Sequence, residues 1–331
     1  MKNPKNSQIF NITEEGRVER LDVFLSKVIG ISRSQVQKMI NAGLVLLDNK
    51  IPKKTGEKLI SAKTIEVLSE KLLVEGDANS VTTKALSKKK LAKLEVLAET
   101  DDYLVINKPA GILVHPTQAM EKNTLVASLL AKYPEIAKVG DSERRPGIVH
   151  RLDKEASGLL VIARNQNSFE KIKKQFKQRK VEKIYSVLVY GNLVKDYGII
   201  DFDIDRGENG RMVSRPKIDK MKLKNVNKIQ EGKNALTEYW VEKRYKRFSL
   251  LKIKIHTGRT HQIRVHMFAL GHPVVGDKLY VNKKLVKKGD QVLDRLFLHA
   301  KHLEFTDLQK NRVSFEKNIP KNLKDYLDSL V

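Results

Sequence analysis

Asp153 stands two positions after Arg151 and just ahead of the small residues Ala156, Ser157 and Gly158, in the run HRLDKEASGLLVIAR (150–164). A carboxylate on a turn that feeds a buried strand is held rigidly enough for nucleophilic or general-base chemistry, although the same pattern also describes a capped surface turn. A second run, HTGRTHQIRVHMFALGHPVVGDKLY (256–280), gathers His256, Arg259, His261, Arg264, His266 and His272. Its first three histidines are five residues apart, not the i, i+4 spacing that sets two metal ligands on one helix face. With no cysteine in the chain and no acidic ligand close by, the cluster suits phosphate or carboxylate recognition and no metal. In VINKPAGILVHP (105–116), Lys108 precedes a tight turn where Pro109 fixes φ and Gly111 permits close backbone approach. In KIYSVLVYG (183–191), Tyr185 and Tyr190 are five positions apart and so face opposite sides of a strand, one suited to a core and one to a cleft.

The composition narrows the chemistry. The 331 residues carry a net charge of +25, which points to a polyanionic partner, nucleic acid first, or to a generally lysine-rich composition. An apolar content of 40% supplies a real core. The absence of cysteine removes disulfides, thiolate zinc sites and cysteine nucleophiles. No uncharged apolar run reaches the ~18 residues of a membrane span, and the first residues lack the apolar stretch of a signal peptide. The expectation is a cytoplasmic protein with no membrane partner. The phosphate-binding G-x-x-x-x-G-K-[ST], the dinucleotide G-x-G-x-x-G and the G-x-S-x-G elbow are all absent, which takes the usual support from nucleotide hydrolysis, dinucleotide redox chemistry and serine hydrolysis.

The elements that must position these residues fall into two groups. Residues 1–13 are polar and read as disordered. Leu21, Phe24, Leu25 and Val28 then recur at helical spacing, and a second helix carrying Val36, Met39 and Ile40 is capped by Ser32 or Ser34 and ended by Gly43. Short strands follow around a DNK and a KKTG turn. Residues 76–90 read as a linker, and the chain before and after residue 90 carries +7 and +18. Beyond it, LEVLAE, YLVINK, LLVIAR, KIYSVLVYGNL, ALTEYWVEKRY and FSLLKIKIHTG read as strands, while SFEKIKKQFKQRK and HQIRVHMFALG read as helices. Residues 206–233, with nine basic and three acidic side chains, read as a basic loop.

Taken in this order, VINKPAGILVHP, HRLDKEASGLLVIAR, KIYSVLVYG and TGRTHQIRVHMFALGHPVVGDKLY resemble the RluA-type pseudouridine synthases over roughly residues 94–310. RLDVFLSKVIGISRSQVQKMINAGLVLLDNK is similar to the small RNA-binding domain named after ribosomal small-subunit protein S-four. The resemblance implies an α+β protein. Its parts are a small N-terminal α/β domain at 14–75, the linker at 76–90, and a mixed, mainly antiparallel-sheet catalytic domain at 91–331. It implies an isomerase without cofactor or metal, which breaks the bond from ribose to N1 of uracil and rejoins the base through C5. By the same resemblance Asp153 is the catalytic carboxylate, attacking the ribose or removing a ribose proton. Arg264 is the partner that keeps it ionised, and Tyr185 stacks on the base and moves a proton. Arg151 enters the space left by a flipped nucleotide, with His150, Lys108, Arg259 and His261 grouped beside it at the RNA. Arg20, Arg33, Ser34 and Lys38 are the implied RNA contacts of the small domain. The implied substrate is structured RNA, with large-subunit ribosomal RNA foremost. The alternatives are a synthase acting on transfer RNA and a non-catalytic RNA-binding or ribosome-assembly factor. A nucleic-acid hydrolase would need metal carboxylates or a His pair that the sequence does not offer. Two departures stand out: Ala156 replaces a common Thr, and GLVLLDNK lacks the V-N-G ending of the small domain.

Overall fold

A computed structural model describes residues 7–12, 15–31, 33–41, 43–52, 54–60, 62–68, 91–117, 121, 123–207, 210–216, 232–282, 284–287 and 292–330. The chain divides into two compact units, residues 1–87 and 88–331. The expected linker at 76–90 and the Ser32 cap lie outside the described residues.

In the small unit, α1 (Leu21–Ile29) and α2 (Arg33–Asn41) pack on a three-stranded antiparallel sheet of order β1 (Ser7–Asn11), β3 (Thr64–Leu68), β2 (Val45–Leu47). Leu21, Phe24 and Leu25 of α1 meet Val36 and Ile40 of α2 over Val45 and Ile65, the i, i+3, i+4 stripe that an amphipathic helix buries. Gly30, at φ 71°, ends α1 in the left-handed region that glycine adopts without strain. Within the polar opening segment, Ser7–Asn11 is a strand where disorder was expected: it pairs with β3, so the small unit starts ahead of the expected residue 14. Its backbone bonds come from long-range pairing, which polar composition does not reveal.

The large unit is built on one ten-stranded sheet. Its order is β4 (Glu95–Glu99), β5 (Tyr103–Lys108), β6 (Ser157–Ala163), β12 (Leu298–Thr306), β7 (Glu182–Tyr190), β11 (Phe248–Ile255), β10 (Leu236–Arg244), β8 (Tyr197–Arg206), β9 (Met212–Pro216), with β13 (Arg312–Glu316) beside β12. All pairs are antiparallel except β6 with β12. β5 and β6 are almost wholly apolar because both of their faces are covered. Leu104, Ile106, Leu160 and Ile162 face α3 (Leu125–Lys132), while Tyr103, Val105, Leu159 and Val161 lie with Ile172 of α4 (Gln166–Lys177). Asn165 caps α4 by accepting from Ser168 N, and the helix turns its lysines to solvent. α6 (Lys321–Asp328) closes a further cluster through Leu323, Tyr326 and Leu327. Part of the expected basic loop at 206–233 is ordered sheet: β8 runs to Arg206, and Met212–Pro216 returns antiparallel to it. A short edge strand with an arginine and a proline carries no periodic signal. Residues 208–209 and 217–231 of that stretch are outside the described residues. Among the described residues, no helix is long and apolar enough to cross a membrane.

Candidate active site

The site lies where β6, β12 and β7 meet α5 (Gln262–Ala269). Asp153 occupies the turn before β6, closed by Ala156 N donating to the Asp153 carbonyl at 3.2 Å. The parallel seam that follows is tight: a Cβ on Gly158, at φ 118°, would lie 2.3 Å from the Ala300 carbonyl of β12. The turn is therefore pinned to the sheet by its own downstream residues. On β7, Tyr185 pairs with Ile253 and Ala300 and is 5% exposed. Both Tyr185 and Asp153 line one cleft, together with Arg151, Ala156, Arg259, Thr260, His261 and Arg264. Tyr190 packs against Phe248 in a separate core.

One arginine organises the cleft's electrostatics. Arg264 Nη1 donates to Asp153 Oδ2 at 3.1 Å, and its Nε and Nη2 grip Asp277 at 2.7 and 2.9 Å. The Asp277 side chain is fully buried and also accepts from Leu279 N and Tyr280 N. Burial disfavours the charged guanidinium, but the hydrogen bonds and charges of Asp277 and Asp153 outweigh it, so its pKa rises above the ordinary arginine value. Asp277 and the π face of Tyr280, 5.1 Å from the guanidinium carbon, fix its orientation. The third edge of the fork then holds the Asp153 carboxylate at the cleft. Burial, with the Asp153 charge added, pushes the Tyr185 hydroxyl above the ordinary tyrosine value, which keeps it protonated at neutral pH.

The loop leading into α5 is fastened by buried polar groups. Thr257 Oγ1 donates to Gln262 Oε1 at 2.7 Å, and Gln262 Nε2 donates to Thr237 Oγ1 at 3.0 Å. His266 lies between Thr237 Oγ1 and the Phe202 carbonyl. Of the histidines in this run, His256 pairs with Glu238, His266 is core, and His261 alone reaches the cleft. Among the described residues, no group of three histidine or carboxylate side chains is placed to hold a metal ion.

Two expected RNA contacts sit elsewhere. Lys108 is fully buried, and its ammonium donates to the carbonyls of Pro109, Ile112 and Lys154. Burial pushes it down to about 7 against the opposing charges of Asp153 and Glu155. It clamps the Pro109–Ile112 turn onto the residue after Asp153, helped by Gly111 N donating to the Lys154 carbonyl at 2.8 Å. A lysine before proline looks like a surface cation in sequence, and only tertiary structure shows it enclosed. His150 stacks on Phe176 at 4.5 Å and accepts from Val161 N, and burial pushes its pKa down to about 3. It is a neutral packing group. Arg259 lines the cleft while donating to the Asn234 carbonyl, and Arg151 is exposed at the cleft wall. In the small unit, Arg20 and Arg33 are half-exposed and anchored on Asp22, while the side chains of Ser34 and Lys38 lie outside the described residues.

Sequence reasoning passed over Asp277, although it lies in the quoted stretch; an aspartate after glycine reads as a turn residue. It read Ser157 only as a small residue ahead of the strand, and passed over His299 and Arg295. Arg295 Nη2 donates to Ser157 Oγ at 2.7 Å, and Ser157 Oγ meets His299 Nδ1 at 2.9 Å. His299 Nε2 meets the Lys317 carbonyl at 3.0 Å. That carbonyl only accepts, so the imidazole proton is on Nε2 and Ser157 donates to Nδ1. Burial pushes His299 down to about 4, so the chain Arg295–Ser157–His299 is a neutral-imidazole brace for the start of β6.

Comparison with known proteins agrees with this geometry. A family model described as RNA pseudouridylate synthase matches residues 102–269, and the S4 domain model matches residues 19–59. An uncharacterized RNA pseudouridine synthase of Aquifex aeolicus is 40% identical over 83% of this chain and 81% of its own length. The ribosomal large subunit pseudouridine synthase D of Buchnera aphidicola subsp. Schizaphis graminum is 32% identical over 93% of each. The solved structure of human RNA pseudouridylate synthase domain containing 1 aligns with a TM-score of 0.54 at 27% identity, covering 69% of this chain and 84% of that one. A cleft that presents an arginine-held aspartate beside a buried tyrosine, in a chain matched along most of its length by these relatives, belongs to a member of the RNA pseudouridine synthase family carrying an N-terminal S4 domain.

Proposed function

We propose that this isomerase acts on uridines of large-subunit ribosomal RNA, with Asp153 as the group that attacks the ribose or removes a ribose proton. The observation that carries the catalytic part is the 3.1 Å ion pair from Arg264 to Asp153 inside the cleft that Tyr185 walls. A carboxylate fixed in place by a buried arginine is positioned to act at the sugar, and an aromatic wall beside it suits a stacked pyrimidine. The C1′–N1 bond breaks, the base turns, C1′–C5 forms, and the hydrogen on C5 leaves as N1 gains one, so no atom is lost overall. Uridine in folded RNA is out of reach of such a cleft, so the nucleotide is flipped out at a cost of a few kcal/mol. Arg151 fills the vacated space, and Arg259 and the lysines of α4 contact the RNA backbone. Arg20 and Arg33 of the small unit add phosphate contacts, with Ser34 and Lys38 beside them in sequence. The ribosomal substrate is supported by the relative named as a large-subunit synthase and by the S4 domain match. The test is hydrogen release from C5-tritiated RNA. Release is expected from large-subunit ribosomal RNA, free or in subunit particles, and not from transfer RNA; release from transfer RNA alone would overturn the substrate assignment.

A further inference from the structure

The charge of Arg264 is taken up by Asp277 and Asp153. Arg151 and Arg259, on the same cleft, form no ion pair among the described residues. Arg259 is aimed from two sides. Its backbone N–H donates to Gln262 Oε1 at 3.0 Å, and its Nε donates to the Asn234 carbonyl at 3.0 Å. Nη1 and Nη2 have no partner among the described residues. They form the outer edge of a fork that matches a phosphate.

The same asparagine holds a second arginine. Arg179 Nη2 donates to Asn234 Oδ1 at 3.4 Å, and Asn234 Nδ2 donates to Asp201 Oδ1 at 3.4 Å, which turns the amide oxygen toward Arg179. Arg179 is exposed just past the end of α4, with its backbone at φ 60°. Lys180 N donates to the Gln175 carbonyl at 3.0 Å and Arg179 N to the Phe176 carbonyl at 3.1 Å. These are the two bonds of a Schellman turn, whose left-handed residue is ordinarily glycine. With Gln178 N on the Lys174 carbonyl, the backbone itself satisfies three of the last carbonyls of the helix, and the Arg179 side chain leaves them for Asn234. Arg312 Nη1 holds the far side of the turn through the Lys180 carbonyl at 2.9 Å. Arg179, too, forms no ion pair among the described residues. A position that disfavours any side chain, filled by an arginine tied to the anchor of a cleft arginine, points to a task for that side chain.

Building on the function proposed above, we infer that Arg179 and Arg259 form a phosphate clamp at the rim of the cleft, gripping the RNA backbone beside the flipped uridine, with Asn234 as the positioning residue that spaces the two guanidiniums. Extruding a nucleotide requires the strand to be held while the base leaves the stack. Two guanidiniums on one asparagine offer donors to neighbouring phosphates. They also repel each other, and a bound phosphate relieves that repulsion.

The test is titration of the full chain with C5-tritiated large-subunit ribosomal RNA over a salt series, for wild type, Arg179→Gly, Asn234→Ala and the double variant, with thermal melting of each. Glycine suits the left-handed position, so Arg179→Gly is expected to melt at or above the wild-type temperature. It is nonetheless expected to lose about 5–8-fold in RNA affinity at 0.1 M salt, with the slope of log affinity against log salt shallower by about 0.7–0.9, the value of one phosphate contact. Asn234→Ala keeps both charges and loses their aim, so Arg179→Gly is expected to cost less in that background than in wild type. Wild-type affinity and slope in Arg179→Gly would overturn the clamp. So would lost affinity with an unchanged slope, or with a lowered melting temperature, because Arg179 would then be a structural residue. Additive losses would overturn the role of Asn234. Wild type that releases no tritium from ribosomal or transfer RNA would instead overturn the function on which the clamp rests.

Discussion

The two units of the molecule solve opposite problems with the same pair of residue types. In the small unit, one buried carboxylate gathers cations: Asp22 accepts from Arg20 at 3.0 and 3.1 Å, Arg33 at 3.1 Å and Gln37 at 2.6 Å. The arginine side chains are 50% and 52% exposed, so their charge is presented outward. In the large unit, one buried cation gathers carboxylates: Arg264 joins the enclosed Asp277 to Asp153, which is 17% exposed at the cleft. The first cluster carries a net charge of +1 and suits a phosphate backbone; the second carries −1 and suits attack on a sugar. Burying the orienting member and exposing the working one fixes the working group without spending its charge. Each unit also has a turn glycine that leaves no room for a side chain. A Cβ on Gly56 would lie 2.2 Å from Arg20 Nη2, and one on Gly276, at φ 75°, would lie 1.9 Å from the Arg295 carbonyl.

The sharpest way to break the contrast is at the buried member of the large cluster. Arg264→Met leaves two carboxylates without a counter-charge. A stability loss of about 3–5 kcal/mol in urea unfolding and a rate loss of about 10²–10³-fold are expected, with RNA affinity little changed. A variant with wild-type rate but weak RNA binding would make Arg264 a binding residue and erase the difference between the clusters. Lys108→Met, next in size, strands three carbonyls around the turn that carries Asp153. A cost of about 1–3 kcal/mol is expected, while direct RNA titration should show unchanged affinity; a large drop in affinity would return Lys108 to the RNA surface.

Asp22→Asn carries the smallest effect. Burial raises the Asp22 pKa, but hydrogen bonds from Arg20, Gln37 and Arg33 and the charge of Arg20 outweigh it and bring it from 3.8 to about 2. A carboxyl depressed in this way contributes stability that is present above about pH 4 and lost as pH falls through 2. With the arginines half in solvent, the contribution is about 1–2 kcal/mol. Unfolding of wild type and Asp22→Asn should therefore converge near pH 2, with weaker RNA binding by the variant at neutral pH. A constant gap at all pH values would contradict the ion-pair account.

The cleft cluster was more legible in sequence than the frame that aims it. Asp153, Tyr185 and Arg264 stand in compact motifs whose spacing survives without tertiary information, and the structure brings all three to one cleft. Asp277 was hidden because its function is a 13-residue return from a loop to a helix, not a local pattern. Lys108 and His150 were misplaced for one reason: a charged or titratable side chain beside a motif looks available until the chain that encloses it is known. The strands β1 and β9 were missed because polar edge strands take their order from a partner far away in sequence. The two-helix pattern of the small unit, by contrast, was fully visible in the spacing of Leu21, Leu25, Val36 and Ile40, all of which are buried.

The most direct test of the account is tritium release from C5-labelled ribosomal RNA by wild type and Asp153→Asn at equal RNA occupancy. Rejoining the base through C5 expels that hydrogen, so the signal reports the rearrangement itself. The account predicts release by wild type and background release by Asp153→Asn, with both proteins binding RNA alike. Release by the variant at the wild-type rate would contradict it, because the carboxylate that Arg264 holds would then have no part in the chemistry.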